Sequence, residues 1–236
     1  MLQGSQQQAY DRAITIFSPD GRLYQVEYAR EAVKRGTAST GVVTDEGVVL
    51  AAYKRISHPL MESENIEKIF KIDSHIGAAS AGHVTDARKL IDILRRESQV
   101  NRATYQEPIG AETVVRSLCD EMQQFTQRGG VRPFGVSLIV GGIDDTGARL
   151  FETDPSGSFY EWKATAIGSN SKEIRQNFEE EYSEDMDIEE GLGMAFNCMK
   201  DTVEEESDVK NFEAAVIKED TKEFRELSQS EIAEHI

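Results

Sequence analysis

The sequence predicts an α+β fold in which two β-sheets pack face to face and a pair of helices covers each outer surface. Blocks of strand-like segments are separated by pairs of segments with helical periodicity, and this order differs from the βαβ alternation of parallel sheets. The length of 236 residues is ordinary for a single α/β domain. We therefore expect a flexible segment over residues 1–12 and one domain over residues 13–236.

The first helix is predicted over about residues 22–35, where apolar side chains recur at helical spacing. The tetrapeptide Ser-Pro-Asp-Gly at 18–21 is typical of a turn, and Asp20 is the expected N-cap of the helix. Gly36 is the expected residue just after the helix, where a left-handed conformation favours glycine. Residues 1–9 are rich in Gln, Gly and Ser and are expected to be mobile in isolation.

The remaining elements are predicted from the changes of apolar period along the chain. The predicted strands cover residues 39–44, 48–53, 66–72, 76–81, 134–142, 149–153, 159–162, 165–167, 212–218 and 223–227. The predicted helices cover about 84–102, 111–128, 171–182 and 188–206, with a short last helix at 229–235.

Charge is distributed unevenly along the chain. The formal net charge is −17, and it arises entirely from residues 119–236, because residues 1–118 carry equal numbers of acidic and basic side chains. This composition argues against a nucleic-acid-binding protein, since phosphate contacts need a basic face. The acidic blocks at 179–190 and 204–208 are interpreted as a solvated surface. Adaptation to high salt is a second hypothesis, because concentrated salt screens such repulsion.

Cellular location and cofactor chemistry are constrained mainly by what the sequence lacks. No run of 18 apolar residues and no secretory signal is evident, and the two cysteines suit a reducing compartment, so we expect a cytoplasmic protein without membrane contact. Cys119 is expected to be a buried structural thiol. The four histidines have no metal-ligand spacing, and no phosphate-binding glycine motif occurs, so no metal or cofactor is expected.

The hydroxyl side chains of Thr37, Ser39 and Thr40 lead into the first predicted strand. Such a residue could act as a nucleophile if its own free α-amine served as the base, which requires cleavage just before it. Because a well-formed helix precedes Thr37, we interpret these residues as strand-edge hydroxyls. A self-processed hydrolase cleaved before one of them stays open as an alternative, and a self-standing, monomeric binding module is a third one.

Residues 10–36 (YDRAITIFSPDGRLYQVEYAREAVKRG) carry a specific family signature, which further segments extend. These segments are Ile66–Ile69, Ser80–Gly82, Asp86–Arg88, Gly129–Leu138, Asp154–Gly157 and Lys163–Gly168. On these residues, the chain resembles proteasome α-subunits of the archaeal type, and the acidic composition points to a halophile.

The resemblance implies a four-layer αββα sandwich of the N-terminal-nucleophile hydrolase type, in agreement with the element order. It also implies a non-catalytic subunit of the 20S core particle that forms seven-membered rings with other α-subunits. Such rings cap a barrel of proteolytic β-subunits, receive unfolded protein substrates and bind a proteasome-activating AAA ATPase. The retained segment before Thr37 is the reason that the family lacks the threonine nucleophile.

The resemblance further implies an axial gate formed by the N-terminal segments. Its gate residues match Tyr10, Asp11, Arg12, Pro19 and Tyr28 of this sequence. A phenol and a carboxylate can form a charge-assisted hydrogen bond worth about 1.5–3 kcal/mol when shielded from water. The alternative for Tyr28 is an aromatic residue that simply packs within the helix.

A pocket between neighbouring α-subunits, which binds the ATPase tails, is also implied. Lys68 matches the lysine that pairs with the C-terminal carboxylate of a hydrophobic–tyrosine–any tail. Gly36 and Gly82 match glycines beside that pocket, and Arg30 is expected as their neighbour. From composition alone, Lys68 would be a surface charge next to Glu67. His83 departs from relatives that have an apolar residue at this position.

Overall fold

The computed structural model describes residues 15–56, 58, 60, 61, 66–202 and 208–236. Its helices are α1 (Tyr24–Arg35), α2 (Val84–Tyr105), α3 (Ala111–Gln127), α4 (Ser171–Glu181), α5 (Ile188–Lys200) and α6 (Gln229–Ile232). Its strands are β1 (Ser39–Thr44), β2 (Gly47–Tyr53), β3 (Ile69–Asp73), β4 (Ile76–Gly82), β5 (Val136–Asp144), β6 (Gly147–Thr153), β7 (Phe159–Glu161), β8 (Ala164–Ile167), β9 (Phe212–Lys218) and β10 (Glu223–Glu226).

The ten strands form two five-stranded antiparallel sheets. The first sheet has the order β10-β9-β2-β1-β8, and the second has the order β3-β4-β5-β6-β7. Helices α4 and α5 contact the first sheet, whereas α2 and α3 contact the second. The predicted four-layer arrangement of two helix-covered sheets is therefore confirmed.

Apolar side chains fill three separate layers of this sandwich. Leu50 and Ile139 belong to the layer between the two sheets, where both are fully buried. A second layer lies between α2, α3 and the second sheet, and a third lies between α4, α5 and the first sheet. Burial of a large apolar side chain stabilises the fold by about 1.5–3 kcal/mol, so these layers supply the main driving force for the sandwich.

Local signals explain where two of the elements begin. Asp187 and Glu190 form a capping box at the start of α5, because each side chain accepts a hydrogen bond from the other residue's backbone N–H. Gly47 closes the β1–β2 hairpin at a φ of +150°. A Cβ atom there would lie 2.0 Å from the carbonyl oxygen of Ile217, so the strand pair tolerates only glycine.

The expected start of the first helix is wrong. Asp20 is not its N-cap, because α1 begins at Tyr24 with Leu23 as the cap residue and no capping side chain. Residues 18–21 instead form a closed turn, in which the Gly21 N–H donates to the Ser18 carbonyl at 2.8 Å and the Arg22 N–H donates to the Ser18 hydroxyl at 3.1 Å. The hydroxyl of Ser18 therefore closes this turn, and it does not cap helix α1.

Among the other boundaries that differ from the predictions, two are explained by side-chain contacts. Strand β3 begins at Ile69 rather than at residue 66, because Lys68 turns its side chain toward the first sheet instead of continuing an alternating strand. Helix α5 ends at Lys200 rather than near residue 206. The chain turns there through Thr202, whose carbonyl accepts a hydrogen bond from Asn170. The block at 203–207 lies outside the described residues.

Within the part of the chain that the structure describes, no helix combines the length and the apolar character that crossing a bilayer requires.

The acidic block around α4 and α5 leads to a prediction about salt. Glu179, Glu180 and Asp185 are exposed there, and self-repulsion among exposed acidic side chains destabilises a compact chain at low salt. Because the screening length falls from about 30 Å at 0.01 M to about 3 Å at 1 M, we expect the urea midpoint of unfolding to rise with KCl concentration. The measurement is urea denaturation followed by circular dichroism at several salt concentrations.

The matched control for this prediction is the triple variant Glu179→Gln, Glu180→Gln and Asp185→Asn. It should unfold at a higher urea midpoint than the parent chain in low salt and should gain less from added KCl. Unchanged midpoints across the salt series in the parent chain would contradict the high-salt hypothesis.

Candidate functional site

Lys68 ends in a cluster of oxygen atoms where the two sheets meet. Its Nζ donates to the carbonyls of Thr37, Ala38 and Tyr53 at 2.7, 2.9 and 3.1 Å, and it lies 2.8 Å from the Thr37 hydroxyl. Only 8% of the residue is exposed. The expectation of a plain surface charge is therefore wrong, because Lys68 connects the start of β3 to the ends of β1 and β2.

Burial governs the electrostatics of this lysine. Removal from water lowers the pKa of Lys68 to about 7, and the negative charge of Glu213 acts in the opposite direction. The carboxylate of Glu213 accepts hydrogen bonds from the backbone N–H groups of Lys68 and Ile69 at 2.9 and 3.2 Å. Its other oxygen lies 2.9 Å from the Nζ of the buried Lys54. Glu213 therefore fixes the backbone at Lys68.

Gly36 and Gly82 lie in direct backbone contact beside Lys68. A Cβ atom on Gly36 would lie 2.4 Å from the nitrogen of Gly82, and one on Gly82 would lie 2.3 Å from the carbonyl oxygen of Gly135. Gly36 directly follows α1 as predicted, but the left-handed conformation predicted for it is wrong, since its φ is −70°. Glycine is required there because two backbone segments approach too closely for a side chain.

The hydroxyl of Thr37 lies within hydrogen-bonding distance of the Lys68 amine. Thr37 lies before β1 rather than on it, and its amide nitrogen is part of the peptide bond to Gly36. The carbonyl of Gly36 accepts a hydrogen bond from the Ser169 N–H at 2.7 Å. An N-terminal nucleophile needs a free α-amine as its base, and the amide of Thr37 cannot serve as one while Gly36 is attached.

Arg30 points away from the Lys68 cluster. Its guanidinium makes two hydrogen bonds to the carboxylate of Asp154, at 2.8 and 2.9 Å, and a third to Glu27 at 2.7 Å. Asp154 begins the turn between β6 and β7, and it also accepts a hydrogen bond from the Ser156 N–H. Among the contacts of the described residues, none joins Arg30 to Lys68. Arg30 therefore connects α1 to this turn.

Two of the expected gate residues lie in the described part of the chain. Pro19 is exposed within the turn at residues 18–21. Tyr28 is 50% exposed on α1, and its ring stacks on that of Tyr24 with the centroids 6.5 Å apart. The stacking on Tyr24 of the same helix agrees with the alternative that Tyr28 simply packs within the helix, and the gate role of Tyr28 stays a prediction. The other three gate residues, Tyr10, Asp11 and Arg12, lie outside the described residues, so their contact with Tyr28 stays a prediction.

The cysteines have the environment of structural thiols. Cys119 and Cys198 are both buried, and burial raises the pKa of each thiol to about 12. A thiol with so high a pKa carries almost no thiolate near neutral pH and is a poor nucleophile. The prediction for Cys119 is confirmed.

The fold has two antiparallel sheets covered by helix pairs, and Thr37 lies beside Lys68 where the two sheets meet. These features define the class of N-terminal-nucleophile hydrolase folds. The family model for proteasome subunits matches residues 33–217, and the model for the N-terminal signature of A-type proteasome subunits matches residues 10–32. The chain belongs to the proteasome subunit family, and its N-terminal signature places it among the α-subunits of the 20S core.

Full-length similarity to curated proteins supports the same assignment. The chain is 55% identical over 236 residues to the proteasome alpha subunit of Haloquadratum walsbyi, covering 100% of this chain and 94% of the relative. It is 56% identical over 236 residues to proteasome alpha subunit 1 of Haloferax volcanii, with the same coverage. It is 51% identical over 235 residues to the proteasome alpha subunit of Methanothermobacter thermautotrophicus, covering 100% and 95%. Many of these relatives are from halophilic archaea.

Lys54 and Glu213 are members of the site that sequence reasoning missed. Lys54 directly follows β2, and Glu213 is the second residue of β9. Charged residues at the ends of strands are usually solvated. The signal in the sequence is that each lies at the end of a strand in which most residues are buried. Their pairing became visible only when the fold placed β2 beside β9.

Proposed function

We propose that this chain is a non-catalytic α-subunit that forms the outer seven-membered ring of the core particle, gates substrate entry with its N-terminal segment and binds the regulatory ATPase. The observation that carries the proposal is the position of Thr37. Its amide nitrogen is blocked by a preceding segment that continues into a packed helix, so the chain lacks the free amine that hydrolysis would require. The β-subunits would then carry out proteolysis, and the α-ring would control the entry of substrates.

The packing of α1 supports retention of the N-terminal segment. Val26, Ala29 and Val33 are buried on its inner face, and the helix contacts β4 and β5 of the second sheet. Arg30 adds a two-point ion pair to Asp154. Removal of α1 would expose the apolar face of the second sheet that it covers, so this helix is a structural part of the domain.

The ATPase-tail pocket is assigned to the Lys68 cluster. A terminal carboxylate arriving from outside would be attracted by the ammonium group and could accept a hydrogen bond from the Thr37 hydroxyl. The three backbone carbonyls around Nζ would keep the lysine in place while the carboxylate binds. Because Gly36 and Gly82 have no side chains, they do not obstruct the tail carboxylate as it approaches Lys68. Arg30 has an indirect role here, because it orients α1.

A self-processed hydrolase is the second candidate, and the contact between Thr37 and Lys68 favours it. The two groups are 2.8 Å apart, which is a suitable distance for a base beside a hydroxyl nucleophile. Cleavage of the Gly36–Thr37 bond would free the missing amine. The intact mass of the purified chain separates the two candidates, since a chain that keeps residues 1–36 supports the gating subunit.

Particle images of the purified chain test the proposed function directly. We expect a seven-fold ring with an axial pore. A chain that stays monomeric by sizing would contradict the proposal and would favour the self-standing binding module. A shortened chain that digests peptides without β-subunits would favour the processed hydrolase.

Tyr28 provides a test of the gate. The variant Tyr28→Ala should weaken the opening induced by the ATPase tails while leaving the ring intact, because half of this residue is exposed and it lies on the helix that directly follows the N-terminal segment. The measurement is tail-stimulated hydrolysis of a fluorogenic peptide by the particle assembled with β-subunits. Tyr24→Ala is the matched control, since Tyr24 stacks on Tyr28 but is not an expected gate residue. Equal stimulation of Tyr28→Ala and the parent would remove Tyr28 from the gate.

A further inference from the structure

A groove of about 780 Å³ opens between helix α4 and the corner that joins β7 to β8. We call it the Trp162 groove, and its main lining residues are Trp162, Lys163, Lys172, Arg175, Phe178 and Tyr182. Strands β7 and β8 are the outermost strands of their respective sheets. The groove therefore lies at the open edge of the sandwich, where another chain can approach both sheets.

The positive charge and the hydrogen-bond donors of Arg175 are only partly paired within the described part of the chain. Its Nη1 lies 3.7 Å from Glu152, which is long for an ion pair, and its buried Nε–H has no acceptor among the described residues. Burial raises the pKa of Glu152, and that carboxylate already accepts a hydrogen bond from the Thr165 hydroxyl. The guanidinium lies instead over the ring of Trp162, 5.6 Å from its centroid.

The two lysines of the groove leave further positive charge. Lys172 makes no hydrogen bond or ion pair within the described ranges, and the exposed Lys163 lies 3.6 Å from the exposed Glu184. Glu161 also borders the groove, but both of its oxygens accept hydrogen bonds from Arg149, at 2.7 and 2.8 Å. Glu179 is the other acidic residue of the lining. With three cationic and two acidic side chains, the Trp162 groove has a small excess of positive charge, although it lies in the half of the chain that carries the net charge of −17.

We propose that the Trp162 groove binds an acidic surface segment of a second copy of this chain and forms one side of the contact between ring neighbours. This inference rests on the proposed ring. Two copies of a chain with a net charge of −17 repel each other over most of their surfaces. A cationic groove is a place where the acidic surface of a neighbour is attracted, so charge complementarity selects it for the contact.

The side chains of the groove are also of the types that contribute most of the binding energy in protein–protein interfaces. Tryptophan, tyrosine and arginine are foremost among these types because they combine a large apolar area with directed hydrogen bonds. A neighbour's carboxylate would accept two parallel hydrogen bonds from the Arg175 guanidinium once the side chain shifts toward it. An adjacent apolar side chain of the same segment would pack against Trp162 and Phe178. Rings form when one surface of each copy contacts a different surface of the next copy.

Two variants of the full chain test this contact. Lys172→Glu reverses an exposed charge without breaking an internal contact of the described residues, and Trp162→Ala removes the apolar wall. We expect each to raise the protein concentration for half-maximal ring formation by about tenfold or more, measured by sedimentation velocity and native mass spectrometry. Lys218→Glu is the matched control, since Lys218 is an exposed lysine of the same half that lies outside the groove and makes no side-chain hydrogen bond or ion pair among the described residues, and it should assemble like the parent.

Salt dependence adds a signature that a simple folding defect would not produce. Because the screening length falls from about 8 Å at 0.15 M to about 3 Å at 1 M, the defect of Lys172→Glu should shrink in concentrated salt. The defect of Trp162→Ala should persist there. Unfolding curves of the monomeric variants, which should match that of the parent, exclude a loss of the domain itself.

Each outcome decides the proposal. Rings formed by both variants at the parent's concentrations would overturn the groove contact while leaving the proposed function intact. Normal rings combined with a loss of binding to β-subunits or to the ATPase would also overturn it, because the occupant would then be a different chain. A parent chain that never forms rings would overturn both the groove contact and the proposed function.

Discussion

Replacement of Lys68 with alanine should abolish the stimulation of peptide hydrolysis by the ATPase tails. The variant loses the only positive charge in contact with the Thr37 hydroxyl among the described residues, so the tail carboxylate no longer has an ionic partner at the proposed pocket. Stimulation should fall to the basal rate of the particle. The measurement is hydrolysis of a fluorogenic peptide by the particle assembled with β-subunits, with and without a synthetic tail peptide of the hydrophobic–tyrosine–any type.

The same substitution also affects stability. Removal of the amine takes the lysine donor away from the carbonyls of Thr37 and Tyr53, whereas the Ala38 carbonyl keeps the Tyr53 N–H at 2.9 Å. A buried polar group left unsatisfied costs about 1–3 kcal/mol. Ring images and thermal unfolding of the variant therefore accompany the activity measurement. If the variant does not assemble, the parent particle with a C-terminally amidated tail peptide supplies the test. Stimulation by the amidated peptide at the level of the free-acid peptide would place the pocket elsewhere.

Tail binding should also depend on pH. Because burial lowers the pKa of Lys68 to about 7, the amine is charged below that value and loses its charge as the pH rises above it. The tail carboxylate is ionised throughout this range, so its affinity should fall above pH 7, by up to about tenfold per pH unit. Fluorescence anisotropy of a labelled tail peptide on the assembled particle measures this without the pH dependence of the β-subunits. A flat profile between pH 6 and 9 would contradict a carboxylate–Lys68 pair.

Much of the fold could be predicted because apolar periodicity determines which faces are buried. Strand β1 was predicted at its observed bounds, and α2 begins at the predicted residue. The failures lie where another contact, either local or tertiary, overrides the preference of a single residue. Asp20 has a high preference for N-caps, but the Ser18 hydroxyl closes a turn there instead. The predicted length of α5 failed because helical spacing continues past Thr202, where the chain turns toward Asn170.

The candidate site was predicted only in part. Lys68, Gly36 and Gly82 lie together as the family resemblance implies, but composition gave no reason to bury a lysine. The reason is a set of carbonyls contributed by Thr37, Ala38 and Tyr53, and these are neighbours only in the folded chain. Arg30 was expected beside the pocket, but Asp154, which is 124 residues away in sequence, binds it instead. Such long-range pairing leaves no periodic signal in a single sequence.

Deletion of residues 2–12 should raise the rate of peptide entry into the assembled particle several-fold without changing the β-subunits. The deleted segment has few apolar side chains to anchor it to the domain, so copies from each subunit could converge on the axis and obstruct the pore. The turn at residues 18–21 and helix α1 remain in the variant, and the ring contacts should therefore be retained. The measurement compares the hydrolysis of a fluorogenic peptide by the deleted and parent particles at equal concentrations of active β-subunits.

Two related chains separate the possible causes of such an increase. If the segment obstructs the pore by its volume, an equal-length Gly/Ser replacement of residues 2–9 should keep the low basal rate, because Tyr10, Asp11 and Arg12 remain in place. A high rate in that variant would show instead that specific side chains at 2–9 close the gate. Titration of the β-subunits with an active-site inhibitor should give equal site numbers in all particles, since the tails do not contact the catalytic threonines in this proposal. Unchanged hydrolysis after deletion of 2–12 would mean that the entry route is not closed by these tails, and the gating part of the proposed function would then be lost, whereas ring formation and the Lys68 pocket would stand on their own tests.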